Sequence, residues 1–223
     1  MARFCIDSNI IIASVKIIDN RISRGEMSKS DIKFGKDNTL YKLIRKMIKG
    51  LNGELVTTKS IFDEMERNLN IKSGHKHRLK KIYGETYYPL VKDLLSNKLR
   101  LFNLSSSEYQ EIKDKRYDLE NFELPEEYKR KYHTEKKNIY TDYILAKECS
   151  ENDITAIVSR NEIDFQFCKM FDPSLEIPRI YRPSDSFFKE ANEELKDKYF
   201  STTISGNLLR MINEIYTIDG LEG

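Results

Sequence analysis

Three carboxylates stand among apolar neighbours at widely separated points of the chain. Asp7 ends the run Phe4-Cys5-Ile6, Glu64 lies within Ser60-Ile61-Phe62-Asp63-Glu64-Met65, and Asp142 opens Asp142-Tyr143-Ile144-Leu145-Ala146. A carboxylate drawn into such surroundings costs several kcal/mol unless it is paired or bound to a cation. Three of them gathered together would raise one another's pKa values unless a divalent metal held them ionised. The chemistry this suggests is a hard-cation site built from scattered carboxylates. Taken singly, Asp7 could cap the first helix and Glu64 could be a first-turn acid favoured by the helix dipole. Taken jointly, with Asp142 interrupting an apolar helix face, the three favour metal binding. Asp63 and Glu66 compete with Glu64 for the role.

These residues need elements to position them. Short apolar runs predict strands at 4–6, 55–57, 99–102, 154–158 and 177–181. Between them, helical spacing predicts a helix over 9–18 with Ser8 or Asn9 as its N-cap. A second helix begins after Asn38, with Leu40, Leu43, Ile44, Met47 and Ile48 on one face, and a third covers 60–69. Residues 19–37 read as a loop or lid, and 71–96 as helix interrupted near Gly84 or Pro89. The segment 108–137 carries both charge signs in near balance and reads as solvated helix or a mobile arm. An amphipathic helix follows, with Ile139, Asp142, Tyr143, Ala146 and Cys149 at three- and four-residue steps. Ser184 could cap a later helix, and a last apolar-periodic segment covers 208–215. Alternation of strands and helices predicts an α/β fold with a central parallel sheet flanked by helices. Ligands in such sheets bind beyond the carboxyl ends of the strands. Asp7, Glu64 and Asn161 all fall near that edge.

The bulk properties set bounds. A chain of 223 residues fits one domain with an insertion. The 33% charged content and mean hydropathy of −0.61 suggest much exposed helix around a modest core. A net charge of only +2 means that a nucleic-acid partner must be argued from local patches. Cys5, Cys149 and Cys168 are odd in number, lack metal-like spacing and read as reduced core thiols. The early strand leaves no room for a signal peptide, and no apolar run approaches the ~20 residues that span a bilayer. The expectation is a soluble, cytoplasmic protein with no membrane partner.

Four segments, in order, resemble the PIN-domain family of metal-dependent ribonucleases. They are Asp7-Ser8-Asn9, Ser60 to Met65, Asp142 to Ala146, and Ser159-Arg160-Asn161 with Asp164-Phe165; Arg182-Pro183-Ser184-Asp185-Ser186-Phe187 resembles the family's closing turn. The resemblance covers about 3–70 and 136–190. It implies a PIN-like domain over 1–195 with a helical insertion at about 71–135, and a C-terminal helical extension over 196–223. It further implies an acidic cluster holding Mg²⁺ or Mn²⁺ and hydrolysis of RNA phosphodiester bonds, as in RNA processing. By the same resemblance Glu64, four residues after Ser60, is preferred over its acidic neighbours. Asp7, Glu64 and Asp142 would hold the metal, Asn161 or Asp164 would complete the site, and Ser8 and Asn9 would orient ligands or the scissile phosphate. One departure stands out: the family's Thr-x-Asp pattern has Asn161 here, which removes a full negative charge that Asp164, three residues on, could replace.

Lys72, Lys76, Arg78, Lys80 and Lys81 form the densest basic stretch, with no acid between Lys72 and Lys81. As a helix face it could follow a phosphate backbone; an ordinary solvated face is an equal reading. His75 and His77 do not converge on a helix and make a poor metal pair. The expected partner is RNA, with a homodimer and a protein partner on the insertion left open. Two alternatives to an active nuclease also stay open: a weak or inactive PIN-fold RNA-binding protein, and the toxin of a toxin–antitoxin pair. The long insertion argues against the second.

Overall fold

Apolar runs flanked by polar turns become strands and helices in the order that the sequence predicts. The computed structural model describes residues 1–48, 52–69 and 87–183. The basic stretch at 72–81, the Ser184 helix, the 208–215 segment and the C-terminal extension lie outside these residues. Along the chain come β1 (Arg3–Ile6), α1 (Ser8–Ser23), α2 (Thr39–Met47), β2 (Glu54–Thr58) and α3 (Lys59–Leu69). Helix α4 is described from 87 to 93 and closes in a π turn over Leu94–Lys98, followed by β3 (Arg100–Phe102). Then come α5 (Ser106–Asp114), α6 (Arg116–Glu120), β4 (Phe122–Glu123), α7 (Glu126–Tyr132), β5 (Lys136–Lys137), α8 (Tyr140–Glu151), β6 (Ala156–Val158), α9 (Glu162–Phe171) and β7 (Arg179–Tyr181).

Five strands form one parallel sheet in the order β3-β2-β1-β6-β7, flanked by helices, so the protein is α/β. Cys5 of the central strand lies between Val56 and Ile157, and all three are fully buried. Burial on both faces explains why these strands read as continuous apolar runs without alternation. The three cysteines are free and buried. Among the described residues no helix is long and apolar enough to cross a membrane.

Several boundaries differ from the sequence reading. Helix α1 does not stop at Ile18 but runs to Ser23, and Asp7, not Ser8 or Asn9, occupies its N-cap position. The segment after it is not one loop, since Lys29–Asp31 and Gly35–Asp37 form 3₁₀ turns. Asn38 caps α2 as expected, its Oδ1 accepting from the Tyr41 amide at 2.9 Å. The Asn38 side chain also donates to Asp93 Oδ2 at 2.6 Å, which fixes α2 against α4. Pro89 does not interrupt α4, which is helical from 87 through it. Within 106–137, β4 and β5 pair as a two-residue antiparallel ladder between short helices.

Candidate active site

Asp7 follows β1 directly, and its amide donates to the Val158 carbonyl at 3.1 Å, which joins the ends of β1 and β6. The N-cap position would let its carboxylate cap α1, but no side-chain cap bond forms. The carboxylate, only 6% exposed, instead accepts from Asn9 Nδ2 at 2.6 Å, Ser159 Oγ at 2.6 Å and Ser8 Oγ at 3.2 Å. Burial pushes its pKa up, while the bonds from Ser159 and Ser8 oppose that rise. The network continues through Ser159 Oγ, which accepts from Asn9 Nδ2 at 3.1 Å and from the Asn161 amide at 2.9 Å. Asn9 Oδ1 accepts from the Arg160 amide at 3.3 Å. Five residues from the ends of β1 and β6 are thus fixed around one carboxylate.

Glu64 lies on α3, which has no acid in its first turn, so the helix-dipole reading of Glu64 does not apply. Asp142 lies in the first turn of α8 and is half-buried. Its pKa is pushed well up by burial, and further by the negative charges of Asp164, Asp7 and Glu64, with Lys137 opposing. Each expected carboxylate therefore acts on Asp142 through space. Asn161 precedes α9 and donates from Nδ2 to Asp164 Oδ2 at 2.5 Å. Asp164, 8% exposed, has Lys137 Nζ 3.2 Å from its Oδ1.

A cavity of about 520 Å³ collects Asp7, Ser8, Asn9, Glu64, Asp142 and Asn161 on its wall, beside Ser60, Arg67 and Thr141. Asp164 is not on that wall and reaches it through Asn161. Among the described residues, no three His, Cys, Asp or Glu side chains close into a preformed ion cage. The donors on this wall are carboxylate, hydroxyl and amide oxygens, a set suited to hard divalent cations. Ser8 and Asn9 line the cavity, whereas Lys72, Lys76, Arg78, Lys80 and Lys81 lie outside the described residues.

Sequence reasoning missed three contributors. Ser159 belongs to a quoted motif, yet nothing in its spacing says that its hydroxyl meets Asp7 across 152 positions. Lys137 sits in a charged segment with no mark to distinguish it. Glu148 of α8 is fully buried and accepts from Ser60 N at 3.1 Å and Ser60 Oγ at 2.5 Å, holding α8 against the start of α3. An acid within the apolar stretch of α8 was the available signal.

No family model matches the sequence, and no curated protein does. Among solved structures, the chain is similar to one of FitAB bound to an IR36 DNA fragment. The two share 10% identity with a TM-score of 0.37, over 81% of this chain and 94% of that one.

Proposed function

We propose that the protein is a PIN-like, metal-dependent endoribonuclease that hydrolyses RNA phosphodiester bonds at the cavity beyond the carboxyl ends of β1, β2 and β6. The observation that carries this reading is the convergence of Asp7, Glu64 and Asp142 on one wall, with Asp142 responding to the charges of the other two and of Asp164. Like charges at this density favour protonation, and a bound dication reverses that preference. Asp7, Glu64 and Asp142 would hold Mg²⁺ or Mn²⁺, with Asn161 or Asp164 at the remaining corner. The ion would supply a nucleophilic water near neutral pH and neutralise charge on the phosphate. Ser8, Asn9 and Ser159 hold the Asp7 carboxylate in one orientation. The described residues of the wall supply oxygen donors, which is all that this chemistry needs.

Asp7→Asn tests the reading. The variant should lose Mn²⁺-dependent cleavage of RNA while keeping its fold, because the amide removes a charge that the cation needs and relieves repulsion without it. Equal cleavage by parent and variant would overturn the assignment of Asp7. The substitution of an amide at Asn161 favours a second reading, an RNA-binding protein with little or no cleavage. RNA binding without cleavage by the parent would select it.

A further inference from the structure

We propose that a second cavity, beside the acidic one, is a nucleotide subsite for single-stranded RNA, with Arg67 as its phosphate clamp and the Tyr109–Tyr140–Arg116 cluster as its base platform. The proposal rests on the endoribonuclease reading and adds the form of substrate and the direction in which it lies. The second cavity measures about 660 Å³ and shares Ser60, Arg67 and Thr141 with the acidic cavity. Its volume falls within the roughly 300–1,000 Å³ typical of ligand sites. A strand with one phosphate at Asp7 and Asp142 would therefore place a neighbouring nucleotide here.

The chemistry of the wall matches such a nucleotide. Arg67 stands where the two cavities meet. Among the described residues its hydrogen bond is from Nε to the Asp63 carbonyl, at 3.3 Å. The two terminal nitrogens of its guanidinium can then meet a phosphate as a fork. The other cations are already matched, Lys59 by Asp63 and Arg116 by Glu120. With Glu66 also on the wall the cavity has no net positive charge among the described residues, and backbone attraction alone would not select it. Aromatic surface is what distinguishes it. Arg116 lies over the Tyr140 ring at 5.1 Å, and Tyr109, on the neighbouring helix α5, is 42% exposed. Aromatic rings and guanidinium planes both stack on unpaired bases, and a base inside a duplex offers no free face.

The test measures binding of the full chain to short RNA in EDTA, where no metal-dependent cleavage interferes. Tyr109→Ala and Arg67→Ala should each weaken binding of the single strand by about fivefold or more. Tyr117→Ala removes a 73% exposed tyrosine of the same region that does not line the cavity, and should leave binding as it was. A 2-aminopurine placed at successive positions should be quenched strongly at one of them, and that quenching should vanish in Tyr109→Ala. Parent-like affinity in both variants, equal affinity for a duplex of the same sequence, or no binding of RNA by the parent would each overturn the subsite. The two readings fail separately. Cleavage by a parent whose variants bind normally keeps the nuclease and removes the subsite, whereas Tyr109-dependent binding without any cleavage does the reverse.

Discussion

Asp7 illustrates how one side chain is withheld from a local role. It stands at the start of α1, yet it makes no side-chain cap bond and its oxygens turn chiefly to the side chains of Ser8, Asn9 and Ser159. The carboxylate is held at the cavity wall, where its charge presses on Asp142. Asn161 occupies the complementary corner and gives its amide hydrogen to Asp164. Replacing that amide by a carboxylate removes the donor and sets two negative charges against each other. Asn161→Asp should therefore melt lower than the parent in EDTA and bind Mn²⁺ about tenfold or more tightly, a gain of roughly 1.4 kcal/mol. Calorimetric titration checks the second part. Unchanged affinity in Asn161→Asp, together with a large loss in Asp164→Asn, would assign the fourth charge to Asp164.

At the scale of elements, the site depends on α3 and α8 keeping their mutual position, since one carries Glu64 and the other Asp142. Glu148 supplies a polar contact between them, through the Ser60 amide and hydroxyl. Glu148→Ala should cost roughly 2 kcal/mol in urea denaturation, the scale of hydrogen bonds to a charged group. Burial raises the pKa of Glu148 above 4.5, although bonds from Ser60 and Thr58 oppose the rise. The folded state therefore binds the proton more tightly than the unfolded chain. This contribution to stability is full below 4.5 and is lost as pH rises through the folded value. Measured against Glu148→Gln, which does not titrate, the parent should lose ground as pH rises above 4.5; a constant difference would refute the shift. The three inner strands were legible because burial on both faces writes them as largely apolar runs, although β6 is shorter than its run. Ile154 and Thr155 give their amides to Cys149 and Arg3 outside the ladder proper. The end of α1 was not legible because a polar helical turn such as Asp19-Asn20-Arg21 has the composition of a loop, although Asn20 is buried and Asp19 accepts from the Tyr87 hydroxyl. The pairing of Phe122 with Lys137 was invisible for a different reason, since two residues cannot show an alternation. The acids of the site stood out against apolar neighbours, whereas Ser159 and Lys137 carry no such contrast.

For the whole molecule, gathering like charges at one edge of the sheet should make stability responsive to cations. Mn²⁺ at about a hundredfold over its Kd should add roughly 2.7 kcal/mol, or roughly 5–11 °C in Tm for a chain of this size. Asp142→Asn should lose most of that shift in scanning calorimetry, and a parent that does not respond would remove the metal from the site. The order of the strands has a consequence of another kind. The middle strand of the sheet is synthesised first, while Ser159, whose hydroxyl holds Asp7, follows 152 residues later. At roughly 5–20 residues per second, Asp7 waits roughly 8–30 s for that partner. Through this interval β1 can find β2 but not β6, and neither Asp142 nor Asp164 exists until the interval is nearly over or past. The acid centre therefore cannot assemble until the chain has been made as far as Asp164.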